Sequence, residues 1–570
     1  MLLTRLVGAT VSGLLASLAT AQSSEPVQDL RDLTIAYQAD LGDLQRRYDV
    51  PLSGERHARL QHYLENRQQE FAELEATDLA RDARIDCWLL QNDVERRLRK
   101  LREAQRRQSE TVELMPHAAD LVGLCEARRR LEPIEGEAAA EQLQTARRQV
   151  EGLIKQIKSG GFDALPLPVV VRAQDQLADL HRAVRSWFSF HDGYDPMFSW
   201  WVRTPWERYE TAQKQYRETL RQRLIDSRSD DASLIGDPIG EEALLAELAH
   251  EYIAYSPAEL VEIAEKEFAW CDAEFAKASR EMGCGEDWRK ALEMVKQRHA
   301  QPGQQPQLIR KLAHEAIDFL TERDLITLPP LARECWRMAM MTAAAQRVNP
   351  FFLGGETIRV SFPTDAMEHD FKLQSLRSNN EHFCRATVHH ELIPGHWLQQ
   401  HSQARHRTWR RMFSTPFWLE GWALYWEMRL YDLGLAATAE DRVGMLYWRK
   451  HRCARIGFSL NFHLGRWTGP ECVDYLIERV GHEPAAAEAE VRRSVSGAYG
   501  PLYQAAYMVG GLQLRALHQE LVVSGAMSER GFHDAVLQQN SIPVALLRSA
   551  LTKTEPTRNA ATTWRFADSL

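Results

Sequence analysis

Apolar residues recur at intervals of three and four, with Glu, Arg and Gln between them, through Leu60 to Ala76, Asp82 to Gln108, Ala138 to Lys158 and Ala212 to Ile225. This is the spacing of a single buried stripe on an amphipathic helix, and it implies packing and a solvated face rather than chemistry. Gly, Pro, Ser and Asp interrupt the pattern at Ser159-Gly160-Gly161 with Pro166 and Pro168, from Ser227 to Gly240, and from Gln301 to Pro306. These breaks predict loops rather than domain boundaries, because the same helical patterning resumes on both sides. One stretch changes period: Glu356-Thr357-Ile358-Arg359-Val360-Ser361-Phe362 alternates, is β-branched, follows Gly354-Gly355 and stops at Pro363. It predicts a short strand, either part of a plain hairpin or a free edge that receives an extended peptide. No repeat of fixed period is present. The expected fold is therefore all-α with a small β element near 356–362, its helical N-terminal part spanning 22–225 and a second part spanning 238–570.

The first residues have a different character. A basic Arg5 precedes an apolar, small-residue run from Leu6, which closes with Ala19-Thr20-Ala21. This reads as a signal peptide over residues 1–21, cleaved after Ala21, rather than a membrane anchor, since about 16 moderately apolar residues are short for a span of about 20. No Cys stands at the cleavage point, so a lipid anchor is not indicated. No later run reaches 18 apolar residues, so the mature chain is expected to be periplasmic or secreted without stable membrane insertion.

Apolar residues at 44% and charged residues at 26% exclude wholesale disorder, collagen and a multi-span membrane protein. With 70 Lys+Arg against 79 Asp+Glu, the net charge of -9 leaves no chain-wide footprint for nucleic acid. The eight Cys lack the close pairs of a structural zinc site. Cys271 with Cys284, or Cys453 with Cys472, are near enough in sequence to bridge, and eight free buried thiols are equally compatible. Trp187, Trp200, Trp201 and Trp206 cluster, pointing to aromatic packing or a groove.

The chemistry concentrates in Thr387-Val388-His389-His390-Glu391-Leu392-Ile393-Pro394-Gly395-His396-Trp397-Leu398-Gln399. Zinc peptidases of the zincin type place two His four apart on one helix face, with the Glu after the first His as general base. Here the second His follows His390 by six positions, with Pro394 at the fourth. On a straight helix six residues rotate a side chain by about 240° and raise it about 9 Å, too far for one ion. Pro394 has no N–H for the carbonyl of His390, and Gly395 accepts unusual dihedrals, so a bulged or kinked turn is expected to return His396 to the metal. His389 lies about 10.5 Å along the helix from His396 and is expected to be structural or supporting. His250-Glu251 and His314-Glu315 have no later His at the right distance and read as ordinary helix-surface pairs. The third ligand is expected from Trp418-Leu419-Glu420-Gly421-Trp422-Ala423-Leu424-Tyr425-Trp426-Glu427. Glu420 is the ligand candidate, Gly421 permits close packing against the motif helix, and Glu427 either orients an imidazole or is a solvated carboxylate.

HELIPGHWLQ paired with LEGWALYWE resembles the bacterial family of domain of unknown function 885, a zincin-like, all-helical group similar to metallopeptidases of the thimet-oligopeptidase type. The stretches Phe188 to Trp206 and Pro238 to Trp270, and the run from Tyr507-Met508-Val509-Gly510 through Phe532-His533-Asp534, carry the same resemblance over most of the mature chain. It implies a zincin-like architecture with a deep cleft, zinc held by His390, His396 and Glu420, and Glu391 as base. One departure is Pro501-Leu502-Tyr503-Gln504 where the family pattern has Pro-Gly-Gln-Ala, so no role for a Gln carries over.

The expected activity is zinc-dependent hydrolysis of short peptides. Glu391 takes a proton from the water and returns it to the leaving amine, and a further donor meets the oxyanion. Tyr507 is that donor candidate, with Tyr499 and Tyr503 behind it; Tyr503 and Tyr507 share a helix face. Two other readings stay open: a cell-wall peptide amidase, and a non-catalytic peptide-binding or chaperone-like module with a relic metal site.

Overall fold

The computed structural model describes residues 30–229, 231–558 and 562–570, so the segment read as a signal peptide lies outside the described residues. The chain is predominantly helical, as its periodicity indicates. Its N-terminal part contains α1 (Arg31–Arg47), α2 (Gly54–Glu75), α3 (Arg81–Ser109), α4 (Ala118–Arg129), α5 (Gly136–Lys158), α6 (Leu167–His191) and α7 (Pro196–Leu220). A middle section follows with α8 (Glu241–His250), α9 (Pro257–Glu281), α10 (Trp288–Lys296), α11 (Gln305–Glu322), α12 (Pro330–Glu334), β1 (Arg337–Met340), α13 (Ala343–Gln346), β2 (Thr357–Val360) and α14 (His369–Ser378). The chain then forms α15 (Glu381–Glu391), α16 (His396–Gln403), α17 (Pro416–Asp432), α18 (Ala439–His463), α19 (Gly469–Val480), α20 (Pro484–Val495), α21 (Tyr503–His518), α22 (Glu529–Gln538) and α23 (Val544–Thr552).

The periodic stretches fall on α2, α3, α5 and the second half of α7. The first half of α7 escapes a periodicity reading because Pro205 lies inside it, yet Asp195 starts the helix by accepting the N–H groups of Met197 and Phe198. Trp187 and Trp206 belong to the core there, whereas Trp200 and Trp201 are on the surface.

The alternating run forms a strand whose ladder partner is a distant segment, with a single antiparallel bridge to the residues just before it. β2 pairs in parallel with β1 in the register Arg337↔Thr357 to Met340↔Val360. A parallel pair needs a long crossover, here the segment that includes α13. On the opposite edge of β2, Arg359 exchanges backbone hydrogen bonds with Leu353 at 2.8 and 3.0 Å. The expected free edge is thus occupied at Arg359.

Apolar side chains gather into three clusters, one among α1–α3, one centred on α4–α7, and the largest from α8 to the C terminus, which also takes in Ile85, Trp88 and Leu89 of α3. A buried ion pair joins the first cluster to the last part of the chain: Arg410, fully buried, donates from Nε to Asp86 Oδ1 at 2.6 Å, and Trp409 Nε1 donates to the other oxygen at 2.8 Å. All eight cysteines are free, so neither pair considered from the sequence bridges.

Within the largest cluster α17 and α21 cross at van der Waals contact of their backbones. A Cβ added to Gly510 would lie 2.1 Å from the Phe417 carbonyl oxygen, and one added to Gly421 would lie 2.6 Å from the Gly510 Cα. Gly421 therefore packs against α21 rather than against the motif helix. Gly510→Ala is expected to push the helices apart, cost about 1–3 kcal/mol and lower the melting temperature; an unchanged melting curve would show that the crossing tolerates a methyl group.

Candidate metal centre

α15 is started by Asn380, whose side chain accepts the N–H groups of His382 and Phe383, and it stops at Glu391. Residues 392–395, with a cis Ile393–Pro394 peptide, form a tight turn, and α16 begins at His396. The expected kink within one helix is thus a break between two helices. Backbone bonds fold the turn back on itself, from Gly395 N–H to His389 O at 3.0 Å and from Leu398 N–H to Leu392 O at 3.2 Å. A Cβ on Gly395 would lie 1.8 Å from the His390 carbonyl oxygen, so glycine is required by the close approach. Trp422 of α17 ties the turn to the next helix, donating from Nε1 to Pro394 O at 2.8 Å.

α17 is capped by Thr415, which accepts from Phe417 N–H and donates to the buried Glu251 at 2.5 Å. Glu251 is therefore an internal group rather than half of a surface pair, and its burial pushes its carboxyl up to about 7. Glu315, in contrast, sits near the surface and pairs with Arg385.

The three expected ligands converge. His390 Nε2 and His396 Nε2 each lie 3.2 Å from Glu420 Oε2, and the imidazoles are nearly perpendicular with centroids 4.7 Å apart. One donor atom from each of the three residues lies within 4.8 Å of the others, so together they could hold a metal ion. A tetrahedral site with zinc bonds of about 2.1 Å separates neighbouring donors by roughly 3.4 Å, close to this spacing. The second nitrogen of each ring is already held. His390 Nδ1 donates to Glu427 Oε1 at 2.7 Å, and His396 Nδ1 donates to Gln399 Oε1 at 3.0 Å. Fixing Nδ1 in this way directs Nε2 to the shared point. This decides the role of Glu427, which is buried and also receives Arg452 Nη2 at 3.3 Å. His389 is structural, as expected: it is buried with Nε2 against Leu312 O at 3.3 Å, and burial holds its imidazole down to about 3.

The electrostatics follow from burial opposed by pairing. Burial would raise Glu420, but His396 and His390 outweigh it and hold the carboxyl well below its usual range. Burial would lower His396, but the charge and hydrogen bond of Glu420 raise it to about 9. Burial raises Glu391, whose carboxylate forms no hydrogen bond among the described residues.

A cavity of about 420 Å³ opens at these groups, lined by His390, Glu391, His396, Glu420, the segment Phe351–Gly354, arginines of α18 and α20, and three tyrosines. Gly354 overlies Glu391: a Cβ there would lie 2.3 Å from Glu391 Oε2. The tyrosines separate by role. Tyr503 donates to Glu420 Oε1 and so positions that carboxylate. Tyr507 stacks 5.8 Å from His390, and its hydroxyl forms no hydrogen bond among the described residues. Tyr499 packs on Tyr503 with centroids 4.4 Å apart.

Sequence reasoning gave no role to Gln399, Arg452 or Gly354. Gln399 carried a signal, since it lies three residues after His396 and within its reach on one helix face. Arg452 and Gly354 arrive from distant elements and left none.

These elements define a helical protein with a His–His–Glu cluster lining an open cavity. The family model described as "Bacterial protein of unknown function (DUF885)" matches residues 36–551, and the chain belongs to that family. No curated protein matches it. Its fold is similar to that of a protein from Shewanella oneidensis described as a candidate lipoprotein of unknown function, with TM-score 0.68 and 15% identity over 92% of this chain and 100% of that one. A candidate lipoprotein from Colwellia psychrerythraea is similar with TM-score 0.56 and 15% identity, over 92% of this chain and 97% of that one. Among the described residues no helix is long and apolar enough to cross a membrane.

Glu420→Gln is expected to let burial dominate and drop His396 below its ordinary value of 6.5, read by NMR titration of the metal-free protein. A raised basic group stabilises the folded state fully below its unfolded value, so the stabilisation from this pair is lost as pH rises through about 9. A His396 titration that ignores Glu420→Gln would refute the pairing.

Proposed function

We propose that this protein is a zinc-dependent peptidase that hydrolyses short peptides outside the cytoplasm. The observation that carries the reading is the meeting of His390 Nε2, His396 Nε2 and Glu420 Oε2 in one cavity beside the buried carboxylate of Glu391, which has no hydrogen bond among the described residues. The donor set is that of a hydrolytic zinc site, two imidazoles and a carboxylate, each supported from behind. Zinc bound there supplies a Lewis acid that polarises the scissile carbonyl and brings the pKa of water to about 7.

The chain's own residues do the rest. Glu391, raised by burial, takes a proton from the attacking water and delivers it to the leaving amine; a raised carboxyl suits both halves of that transfer. The Tyr507 hydroxyl, free of partners among the described residues and carried by a cavity-lining ring that stacks on His390, donates to the oxyanion. Tyr503 keeps Glu420 oriented. Gly354 lets the Phe351–Gly354 segment approach Glu391 and His396 without a side chain displacing either. The location rests on the signal-like residues 1–21 and on the similarity to two proteins described as candidate lipoproteins.

The purified protein is expected to carry about one zinc and to cleave peptides in a chelator-sensitive way. Glu391→Gln is expected to retain zinc and lose activity by about 10²–10⁴-fold. Normal turnover by that variant would remove Glu391 as base. A zinc-loaded wild-type protein that left peptides intact but cut muropeptides would move the substrate to cell-wall crosslinks.

A further inference from the structure

Arginines that take no part in this mechanism line the same cavity: Arg452 and Arg455 from α18, Arg493 from α20 and Arg359 from β2. The first three are buried, at 4%, 1% and 7% exposure, and a buried guanidinium needs anionic partners. Two carboxylates serve all three. Glu427 accepts from Arg452 at 3.3 Å, and Glu490 accepts from Arg455 Nε at 2.7 Å and from Arg493 Nη2 at 3.4 Å. Glu427 is also shared with His390. Among the described residues, Nη2 of Arg455 and Nη1 of Arg452 and Arg493 donate no hydrogen bond, and the Arg359 side chain has no ion pair. The wall therefore holds an excess of positive charge with donors to spare.

Its distance from the metal centre is set by Tyr507. The Arg455 and Arg452 guanidinium carbons lie 4.1 and 4.7 Å from that ring's centroid, and the ring stacks 5.8 Å from His390. Arg455 is thus within about 10 Å of the His390 ring. An extended peptide advances about 3.3–3.6 Å per residue, so this reach corresponds to two or three residues at most. A cavity of about 420 Å³ is of small-molecule size, which favours a chain that ends inside it over one that passes through.

We propose that these arginines bind a substrate carboxylate, and that it is the free C-terminus of a short peptide cut within two or three residues of its end. Planar guanidinium forks match carboxylate geometry, and a desolvated pocket strengthens the charge-assisted bonds. The inference rests on the peptidase reading for the cut, but not for the binding.

The test uses three peptides of one sequence: the free acid, the C-terminal amide, and an amide whose last residue is Glu. Their kcat/KM is measured on the zinc-loaded protein, and their binding to Glu391→Gln by calorimetry. The free acid is expected to exceed the amide about 10- to 100-fold in both, the scale of hydrogen bonds to a charged group. Arg359→Ala, at an exposed position, is expected to narrow that ratio. Equal acid and amide values overturn the proposal, and an amidated Glu peptide matching the free acid overturns the C-terminal assignment. Selective binding of the acid with no cleavage of any peptide would sustain the carboxylate site and reject the peptidase reading.

Discussion

The burial of one carboxylate organises the site. Glu420 lies inside the largest apolar cluster, where an unpaired charge would be too costly to keep. It is tolerated because two imidazoles and a phenol surround it, and each imidazole is held in turn by a further acceptor, Glu427 or Gln399. Glu427 passes the same requirement on to Arg452. Charge and counter-charge alternate outward from a single point, so the removal of one member leaves its neighbour buried without compensation.

Glycines make this chain of pairs sterically possible. Gly395 lets the turn after α15 fold tightly against the carbonyl of His390, and the Gly421–Gly510 contact draws α21 against α17 so that Tyr503 reaches Glu420. The glycines bring backbones together, and the polar groups on those backbones then meet. Substitution at any of these positions alters the site without changing His390, His396 or Glu420.

Much of this was legible in the chain. The helical class followed from the spacing of apolar residues, and the meeting of His390, His396 and Glu420 followed from a motif whose odd spacing called for a distorted turn near Pro394. The break proved larger than a kink because four residues leave the helix before a new one starts at His396. What escaped were relations between distant segments. Alternation at 356–362 announces a strand but does not say that its partner is Arg337–Met340, a run without strand character of its own. Glu251 reads as a helix-surface residue until Thr415 is brought to it from 164 positions away. Gly421 was read against the wrong helix, since one small residue does not identify its counterpart.

The ion pair between Arg410 and Asp86 has a consequence for how the chain can be divided. Arg410 is fully enclosed, and its carboxylate partner comes from α3, more than 300 residues earlier. A fragment that began after α7 would strand that guanidinium in an apolar interior with only Gln539 to receive it. The first helices are therefore not a detachable appendage: the segment leading into α17 is fastened to α3 through a buried charge.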